Sequence, residues 1–338
     1  SDVCSSDLEL AVDKGDIQAT ITGSTEYEAF VSGTNGAVNR WWNDHEALLH
    51  GITNTTRPAD LIVDLGDSLL DAFRSQPLLD EYGVYERLMS YWNDVMHDDV
   101  ALIMGEGWDD AAKPRAARIL GYDKNKKPKY ESAHIIFGTG VKAQRWVMDL
   151  VPPELIIARY FANEQAELEA LEAAVEAASQ TIEEYVEEHA VEEGLLFDAT
   201  DDDGKVTNKT ATDRLKAAKA EGADRDEIKA LVHVVGLFKA ETAAKKAGKD
   251  ARLNLDQLTL KQYTQLGTAD VQSLVIDDKW GDRIAGGVNA ERAALIQKLV
   301  ERLNVLGERY EQTVGDLDAE VESLSEKVAA HLAAMGIA

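Results

Sequence analysis

Two short patterns in the sequence resemble metal sites, and their spacing argues against both. In HEALLH, His45 and His50 lie five residues apart. Five helical residues turn by roughly 500°, so the two imidazoles cannot share the ligand face that a four-residue spacing creates. In DATDDDGKVTNKT, if Gly204 takes the sixth place of a calcium loop, Ala199 takes the first and Thr210 the twelfth. Those two places need carboxylate ligands, so we predict no metal site.

The other chemistry-like patterns provide no catalytic or cofactor-binding residue. FGTGV at 137–141 resembles a glycine-rich nucleotide loop, but strand-like residues follow it instead of a long helix, which favours a hairpin turn. We interpret Asp98 and Asp99 of MHDD as helix-end or loop carboxylates, because no lysine follows at the spacing of a nuclease. The sequence also contains no G-x-S-x-G nucleophile elbow.

Composition and charge restrict the class of protein. The 62 Asp and Glu residues exceed the 35 Lys and Arg residues, for a formal net charge of −27. Most of such a surface repels a nucleic-acid polyanion. The apolar fraction of 45% is enough for a core, and no apolar run approaches the roughly 20 residues of a membrane span. A single Cys excludes a disulfide framework and a cysteine-based zinc site. We expect an acidic, mostly helical, cytoplasmic protein with no membrane partner.

Residues 1–8, SDVCSSDL, are interpreted separately from the rest of the chain. They resemble a translated sequencing-library adapter, so we treat them as a scar outside the fold. This interpretation removes Cys4, the single cysteine, from any native redox role. It also predicts that a native segment precedes Glu9.

Residues 9–100 are predicted to form a helical unit. Apolar spacing favours a helix over about 25–50, which the glycines between 33 and 36 are expected to weaken or split. A second helix is predicted to start at Pro58, because proline suits a first helical turn. A third is predicted over about 78–97, where aromatic and aliphatic residues recur at three and four positions.

Residues 101–152 are predicted to form a basic loop with a β-hairpin. HIIF (134–137) and RWVMDLV (145–151) have strand composition and can pair. Between residues 113 and 145, nine Lys and Arg face two carboxylates, a net charge of +7. This charge either pairs with acidic helices of the same chain or contacts a DNA backbone. The DNA-backbone candidates are Lys124, Lys126, Lys127 and Lys129, which are expected in a flexible loop.

Residues 153–338 are predicted to form long amphipathic helices. Apolar residues near both ends of this range form heptad-like seams, so the first and last helices can fold back on each other. Shorter helices are expected at about 209–220 and 224–247. The last stretch, about 288–335, contains a stutter near Gly307 and Gly315 that predicts a bend. The candidates for seam or partner contacts are Leu168, Leu171, Val175, Ile182, Leu303, Leu317 and Leu324.

The fold prediction follows from these segments. We expect a mainly α protein, a helical bundle with long antiparallel coiled-coil-like helices and a small β-hairpin insertion. Two helices alone would leave apolar surface in water, so we expect further packing within the chain or a partner helix.

Several longer strings resemble one protein family. They are PLLDEYGVYERLMSYWNDVMHDDVALIMGEGW (77–108), WVMDLVPPELIIARYFANEQAELEALEAAV (146–175), VIDDKW (275–280) and the final VESLSEKVAAHLAAMGIA. Together they resemble the M (methyltransferase) subunits of type I restriction-modification systems. The resemblance extends over about 41–338 and covers the C-terminal region of that family.

The resemblance implies an adenine-N6 DNA methyltransferase whose catalytic domain precedes this region. That domain binds S-adenosylmethionine through a D-P-x-x-G-x-G turn and takes a flipped adenine into an N-P-P-F/Y pocket. Neither motif occurs in the 338 residues, and VPPE at 151–154 lacks the asparagine. We therefore transfer no catalytic or cofactor-binding residue, and we expect the chain alone to be inactive.

The resemblance also implies partners. M-subunit helices pack with the specificity (S) subunit, and a second M subunit and double-stranded DNA complete the assembly, with the restriction (R) subunit as a further candidate. The implied role of this region is assembly and clamping of DNA. An alternative from a different class remains open: a free-standing acidic helical scaffold or adaptor, without enzymatic activity, whose seams close on themselves.

Overall fold

The computed structural model describes residues 12–201, 203–310 and 314–336. These residues are predominantly helical with a few short antiparallel strands, which confirms the predicted mainly α fold. The adapter scar expected at residues 1–8 lies outside the described residues. Within the described ranges, no helix has both the length and the apolar character needed to cross a bilayer.

Helices form most of the chain, and the short strands all lie between α6 and α7. The helices are α1 (Ile17–Thr22), α2 (Thr25–His50), α3 (Pro58–Phe73), α4 (Glu81–Tyr91), α5 (His97–Glu106), α6 (Trp108–Ala111), α7 (Pro153–Tyr160), α8 (Ala162–His189), α9 (Asn208–Glu221), α10 (Arg225–Tyr263), α11 (Thr268–Ser273), α12 (Asp282–Tyr310) and α13 (Val314–Ala334). The strands are β1 (Arg115–Ala116), β2 (Ile119–Tyr122), β3 (Pro128–Tyr130), β4 (Ile135–Phe137) and β5 (Gln144–Val147). Two wider π-helical segments, Trp92–Met96 and Leu274–Gly281, continue α4 and α11.

The chain divides into two compact units. The first combines Ser1–Gly107 with Ile276–Ala338, and the second is Trp108–Val275. This division differs from the one expected from sequence, in which 153–338 form a single helical domain. The chain returns to the first unit because α12 packs against α1, α2 and α4.

The second unit contains an antiparallel pair of long helices, α8 and α10. The Arg252 guanidinium of α10 pairs with Glu172 of α8 at 2.7 Å, and the Ser179 hydroxyl of α8 donates to Glu241 of α10 at 2.7 Å. The helix that pairs with α8 is thus α10, which the sequence analysis did not identify as its partner. The apolar face of α10 is difficult to recognise because its sequence is rich in Lys and Ala. For the same reason the predicted helix ends near residue 247, whereas α10 ends at Tyr263.

Short strands of the second unit form two separate sheets. β4 pairs with β5 in antiparallel register, with Ile135 opposite Trp146, which confirms the predicted hairpin. β1 pairs with the other edge of β5. β2 and β3 form a hairpin of their own, which the sequence analysis did not predict. Its sequence, ILGYDKNKKPKY, contains Gly, Pro, Asn and Asp at a density typical of a loop, and this conceals strands of three and four residues.

Helix α2 of the first unit is continuous across Gly33 and Gly36, so the expected break at these glycines was wrong. A glycine inside a helix costs roughly 1 kcal/mol relative to alanine. Burying a large side chain such as Phe30 or Trp41 contributes about 1.5–3 kcal/mol, which offsets that cost. Ser24 caps the start, where its hydroxyl accepts the Tyr27 N–H at 3.2 Å.

The helical run through α4 and α5 keeps one apolar face buried along most of its length. Its buried residues recur in consecutive steps of four, and each such step overshoots an α-helical turn by about 40°. The π-helical segment Trp92–Met96 has more residues per turn and reduces that drift. The run ends at Glu106, beyond the predicted bound near residue 97. The residues held on the buried face are Val84, Leu88, Trp92, Met96 and Val100.

Helix α12 attaches to the first unit through polar as well as apolar contacts. The buried Arg292 guanidinium donates to the Thr34 hydroxyl and the Asn35 amide oxygen, both at 2.7 Å. The Arg87 Nε donates to Glu291 at 2.6 Å. The bend expected near Gly307 and Gly315 falls where α12 ends and α13 begins, and residues 311–313 lie outside the described residues.

A buried ion pair joins the two segments of the first unit. Asp99, in the first turn of α5, is 5% exposed, and its carboxylate accepts the Lys279 ammonium at 2.7 Å and the Trp280 indole N–H at 2.9 Å. The Tyr91 hydroxyl donates to the Lys279 carbonyl at 3.1 Å. Burial raises the pKa of the Asp99 carboxyl, and the Lys279 ammonium opposes that rise. Each polar group of the cluster is therefore held by another.

Asp99 was expected to be a helix-end or loop carboxylate, whereas it lies inside the continuous helical run from Glu81 to Glu106 and is buried. The burial of Asp99 could have been inferred from the spacing of its apolar neighbours. Residues at i, i+3, i+4 and i+7 lie on one helical face. Met96, Asp99, Val100 and Ile103 have this spacing and are all buried, so a carboxylate at that position needs a cation supplied by another part of the chain.

Asp99→Asn should lower the free energy of unfolding by about 3–5 kcal/mol, because it leaves the buried Lys279 ammonium without a counter-charge. Urea unfolding monitored by tryptophan fluorescence measures this loss. Asp98→Asn is the matched control, since its side chain is 89% exposed, and it should change stability by less than about 0.5 kcal/mol. A double change to Asp99→Leu and Lys279→Met should restore most of the loss. Equal costs for the two single variants would contradict the role of the buried pair.

Candidate functional site

Arg115 links the strands of the basic segment from within. Its guanidinium pairs with Glu131 and with Asp149, the latter at 2.9 Å. Glu131 also accepts the backbone N–H of Arg118. These donors, the Arg115 guanidinium first, lower the pKa of the Glu131 carboxyl to about 2. The charge of Arg115 is thus neutralised inside the segment and is not available to an external anion.

Two further cations of the basic segment are also held internally. The Lys113 ammonium pairs with Asp110 of α6. The Arg145 guanidinium lies 4.5 Å from the centre of the Tyr130 ring and donates to the carbonyls of Ala143 and Gly140 at 3.0 Å. Of the nine cations, Arg115 and Lys113 therefore pair with carboxylates, and Arg145 is held by two carbonyls and an aromatic ring. Their partners lie in or beside the basic segment and not on the acidic helices.

The turn between β2 and β3 is fixed by Asp123. Its Oδ1 accepts the backbone N–H groups of Asn125 at 2.7 Å and Lys127 at 2.8 Å. Its backbone N–H donates to the Lys127 carbonyl at 2.9 Å. Lys126 has a φ of +59°, in the left-handed region that usually favours glycine or asparagine. The expected flexible loop is therefore an ordered turn whose one carboxylate is occupied by backbone donors.

The four candidate lysines lie on this turn and its second strand. Each is exposed, and in the described part of the chain none of their ammonium groups forms an ion pair. The structure thus brings them together at one end of a hairpin with their charges available. Arg118 and Lys142 are also exposed and have no ion pair among the described residues. The clustered residues are Lys124, Lys126, Lys127 and Lys129, and we call them the lysine turn.

The seam candidates on α8 face the interior of the second unit. Leu168 and Ile182 are buried, Leu171 and Val175 are half-buried, and α8 packs against α10 along its length. These four residues therefore contribute to packing within the chain. The apolar spacing correctly identified the packed face of α8. It could not indicate that α10 is the helix that covers this face.

The seam candidates near the C-terminus have a different environment. Leu303 of α12 is half-buried, and the side chain of Leu317 lies outside the described residues. Leu324 is 51% exposed, and every described side chain of α13 from residue 319 onward is exposed. Steps of three and four place the apolar residues of this helix on one face. This exposed α13 seam consists of Val321, Leu324, Val328 and Leu332.

A cleft of about 550 Å³ also opens in the second unit, with a mostly apolar lining that includes Trp146 and Leu260. Two of its polar side chains are engaged in the fold, whereas the buried Trp146 indole N–H has no hydrogen-bond partner among the described residues. The Tyr263 hydroxyl donates to the Val151 carbonyl at 2.6 Å, and Asp109 accepts the Thr268 hydroxyl at 2.7 Å. The cleft thus presents no acid–base pair or nucleophile among its described lining residues.

Comparisons with protein-family models, with curated proteins and with solved structures gave no match. The described residues contain no group of three or more His, Cys, Asp or Glu placed to bind a metal ion. Among the described residues, the lysine turn presents four exposed cations and the exposed α13 seam presents an apolar stripe.

Glu131→Gln should lower the melting temperature at pH 7, because it removes the carboxylate that holds Arg115 and the Arg118 N–H. The folded pKa of Glu131, about 2, lies below an unfolded value of about 4.3, so its charge stabilises the fold above the unfolded pKa. This contribution is lost as the pH falls towards about 2. Melting curves of both proteins should therefore converge between about pH 5 and pH 2. Glu183→Gln, at an exposed position of α8, is the control, and a difference independent of pH would contradict this role.

Proposed function

We propose that this chain is the C-terminal part of an adenine-N6 DNA methyltransferase (M) subunit of a type I restriction-modification system. In this proposal the chain clamps double-stranded DNA and joins the M subunit to the specificity (S) subunit. The observation that carries the DNA role is the lysine turn, which exposes four cations that form no ion pair with any described residue, on a chain of net charge −27. The resemblance of the strings at 77–108, 146–175 and 275–280 supports the family.

The contrast in charge supports a defined docking orientation on DNA. An acidic surface is repelled by phosphates, whereas lysines that neutralise phosphates release condensed counterions and gain affinity. A duplex that approaches this chain is therefore attracted at the lysine turn and repelled over much of the remaining surface. Phosphate contacts of this kind position a protein and do not select a sequence, in agreement with a system in which the S subunit selects the target.

The exposed α13 seam supports the assembly role. Most of the stability of a protein helix comes from packing of its apolar face, so an exposed apolar stripe gains stability when another surface covers it. In the proposed complex the S subunit covers this stripe, with a second M subunit and the R subunit as further partners. Such a complex would act on DNA in the cytoplasm.

S-adenosylmethionine would be bound by the methyltransferase domain that the resemblance places before this region. The residues present in this chain do not fit that cofactor or a flipped adenine. The VPPE string starts a helix, with Pro153 as the first residue of α7, and the Val151 carbonyl accepts the Tyr263 hydroxyl. We derive no methyl-transfer step from this chain.

One observation favours the alternative, a free-standing acidic helical scaffold. The α8 seam packs against α10 of the same chain, so the second unit buries this apolar face without a partner protein. The α13 seam discriminates between the two functions. A scaffold that is complete in itself should be monodisperse and unfold cooperatively alone, whereas an M-subunit region should gain stability from its S subunit.

Changing the lysine turn to glutamine should weaken binding of the whole chain to duplexes of every sequence. The slope of log affinity against log salt should decrease by up to about 3.6, or roughly 0.9 for each phosphate that is no longer neutralised. Fluorescence anisotropy with a labelled duplex over a salt series measures both effects. The control changes four exposed lysines elsewhere in the second unit and alters the net charge equally. A slope unchanged relative to wild type would contradict the DNA role. The control residues are Lys216, Lys239, Lys246 and Lys249.

Leu324→Asp together with Val328→Asp should abolish co-purification with an S subunit from the same operon, because two charges would be buried against its apolar surface. The unmodified chain should melt at a higher temperature when that subunit is in excess, as expected for a ligand that binds the folded state. Val232→Asp, at an exposed position of α10, is the control and should preserve the complex. A melting temperature that does not respond to the S subunit would favour the scaffold.

A further inference from the structure

Large apolar side chains accompany the lysine turn on the β2–β3 hairpin. Leu120 is 73% exposed and Tyr122 is 66% exposed. Single exposed apolar residues are common on protein surfaces and need no explanation. Here both lie within a few residues of the four exposed lysines of the turn, on one short hairpin. The combination offers apolar contact and positive charge to the same partner.

A β-bulge determines where Leu120 lies in the hairpin. Ile119 is opposite Tyr130 and Gly121 is opposite Lys129, so Leu120 is an extra residue between two consecutive positions of β3. Bulges of this kind redirect a side chain away from the regular alternation of the strand. A Cβ built on Gly121 would meet no atom within 4 Å, so the surface beside Leu120 is open. The bulge therefore leaves Leu120 exposed beside an unobstructed strand.

The turn of the hairpin is held in one conformation by its own hydrogen bonds. Asp123 holds the turn through the two backbone N–H groups of Asn125 and Lys127. Lys126 keeps a side chain at a left-handed position where glycine would be less strained, and such positions are typical of functional turns. An ordered finger loses little conformational freedom on binding, so more of its contact energy is available for affinity.

We propose that the β2–β3 hairpin enters the major groove of duplex DNA and places Leu120 and Tyr122 against thymine methyl groups. The inference rests on the proposed DNA role. The major groove is about 12 Å wide and admits a two-stranded ribbon, and the thymine methyl is the apolar group exposed on its floor. The lysine turn lies at the tip and along β3, within reach of phosphates at the groove edges. The hairpin thereby combines phosphate positioning with an apolar contact to bases.

Three proteins and two duplexes test the inference with the whole chain. The proteins are wild type, Leu120→Ala with Tyr122→Ala, and Leu120→Met, which retains an apolar side chain. The duplexes share one sequence, and in the second every thymine is replaced by deoxyuridine, which lacks the methyl group. Fluorescence anisotropy gives Kd for each pair over a salt series. Val232→Ala, at an exposed apolar position of α10, is the control variant.

We expect wild type to bind the thymine duplex about fourfold more tightly than the deoxyuridine duplex for each methyl contacted. The double alanine variant should bind the thymine duplex on the order of tenfold more weakly, with the salt slope unchanged and no preference between the duplexes. Leu120→Met and the control should behave like wild type. Far-ultraviolet circular dichroism and urea midpoints should not change, since Leu120 and Tyr122 contribute little to the core.

The outcomes separate failure of this inference from failure of the proposed function. If the lysine-turn variant weakens binding and the alanine variant does not, the hairpin lies along the backbone and the groove assignment is overturned. A weaker alanine variant that still distinguishes the two duplexes, or a wild type that does not distinguish them, would also overturn it. If neither the lysine-turn variant nor the alanine variant changes the affinity or the salt slope, the DNA role itself fails.

Discussion

The first unit depends on one buried ion pair between residues 180 positions apart in the chain. Asp99 lies in the first turn of α5, and Lys279 lies in the π-helical segment that precedes α12. A carboxylate and an ammonium are both costly to bury alone, so each requires the other. Their contact, with the Trp280 indole as a further donor, joins the returning segment to α5. The remaining contacts of α12, including those of Arg292 and Glu291, extend the same junction.

Helix positions could be predicted from local spacing wherever the apolar face is strong, as in α3 and α8, and the β4–β5 hairpin from its strand composition. Prediction failed where the deciding contact is distant in sequence. The glycines of α2 remain helical because Phe30 and Trp41 are buried by other elements. The apolar face of α10 lies in a Lys- and Ala-rich sequence, and it can be recognised only from the packing of α10 against α8. The same holds for the burial of Asp99.

The candidate site shows a similar limit. The local excess of positive charge can be read from the sequence, but which cations form ion pairs cannot. Arg115 is neutralised by Asp149, 34 residues away, whereas the lysine turn has no such partner among the described residues. The ordered turn could have been inferred from Asp123 followed by Asn125, which are typical turn residues. The exposure of Leu120 and Tyr122 could not, because it depends on how the hairpin packs.

The discontinuous first unit has a consequence for synthesis on the ribosome. The helices before Gly107 emerge first, and the segment that completes their core follows only after the 168 residues of the second unit. At translation rates of about 5–20 residues per second, that interval lasts on the order of ten to thirty seconds. During this time Thr34 and Arg87, which α12 contacts in the folded chain, lack those partners. Trp108–Val275 is contiguous and can fold as it emerges. The second unit can therefore complete its fold before the first unit, although synthesis of the first unit begins earlier.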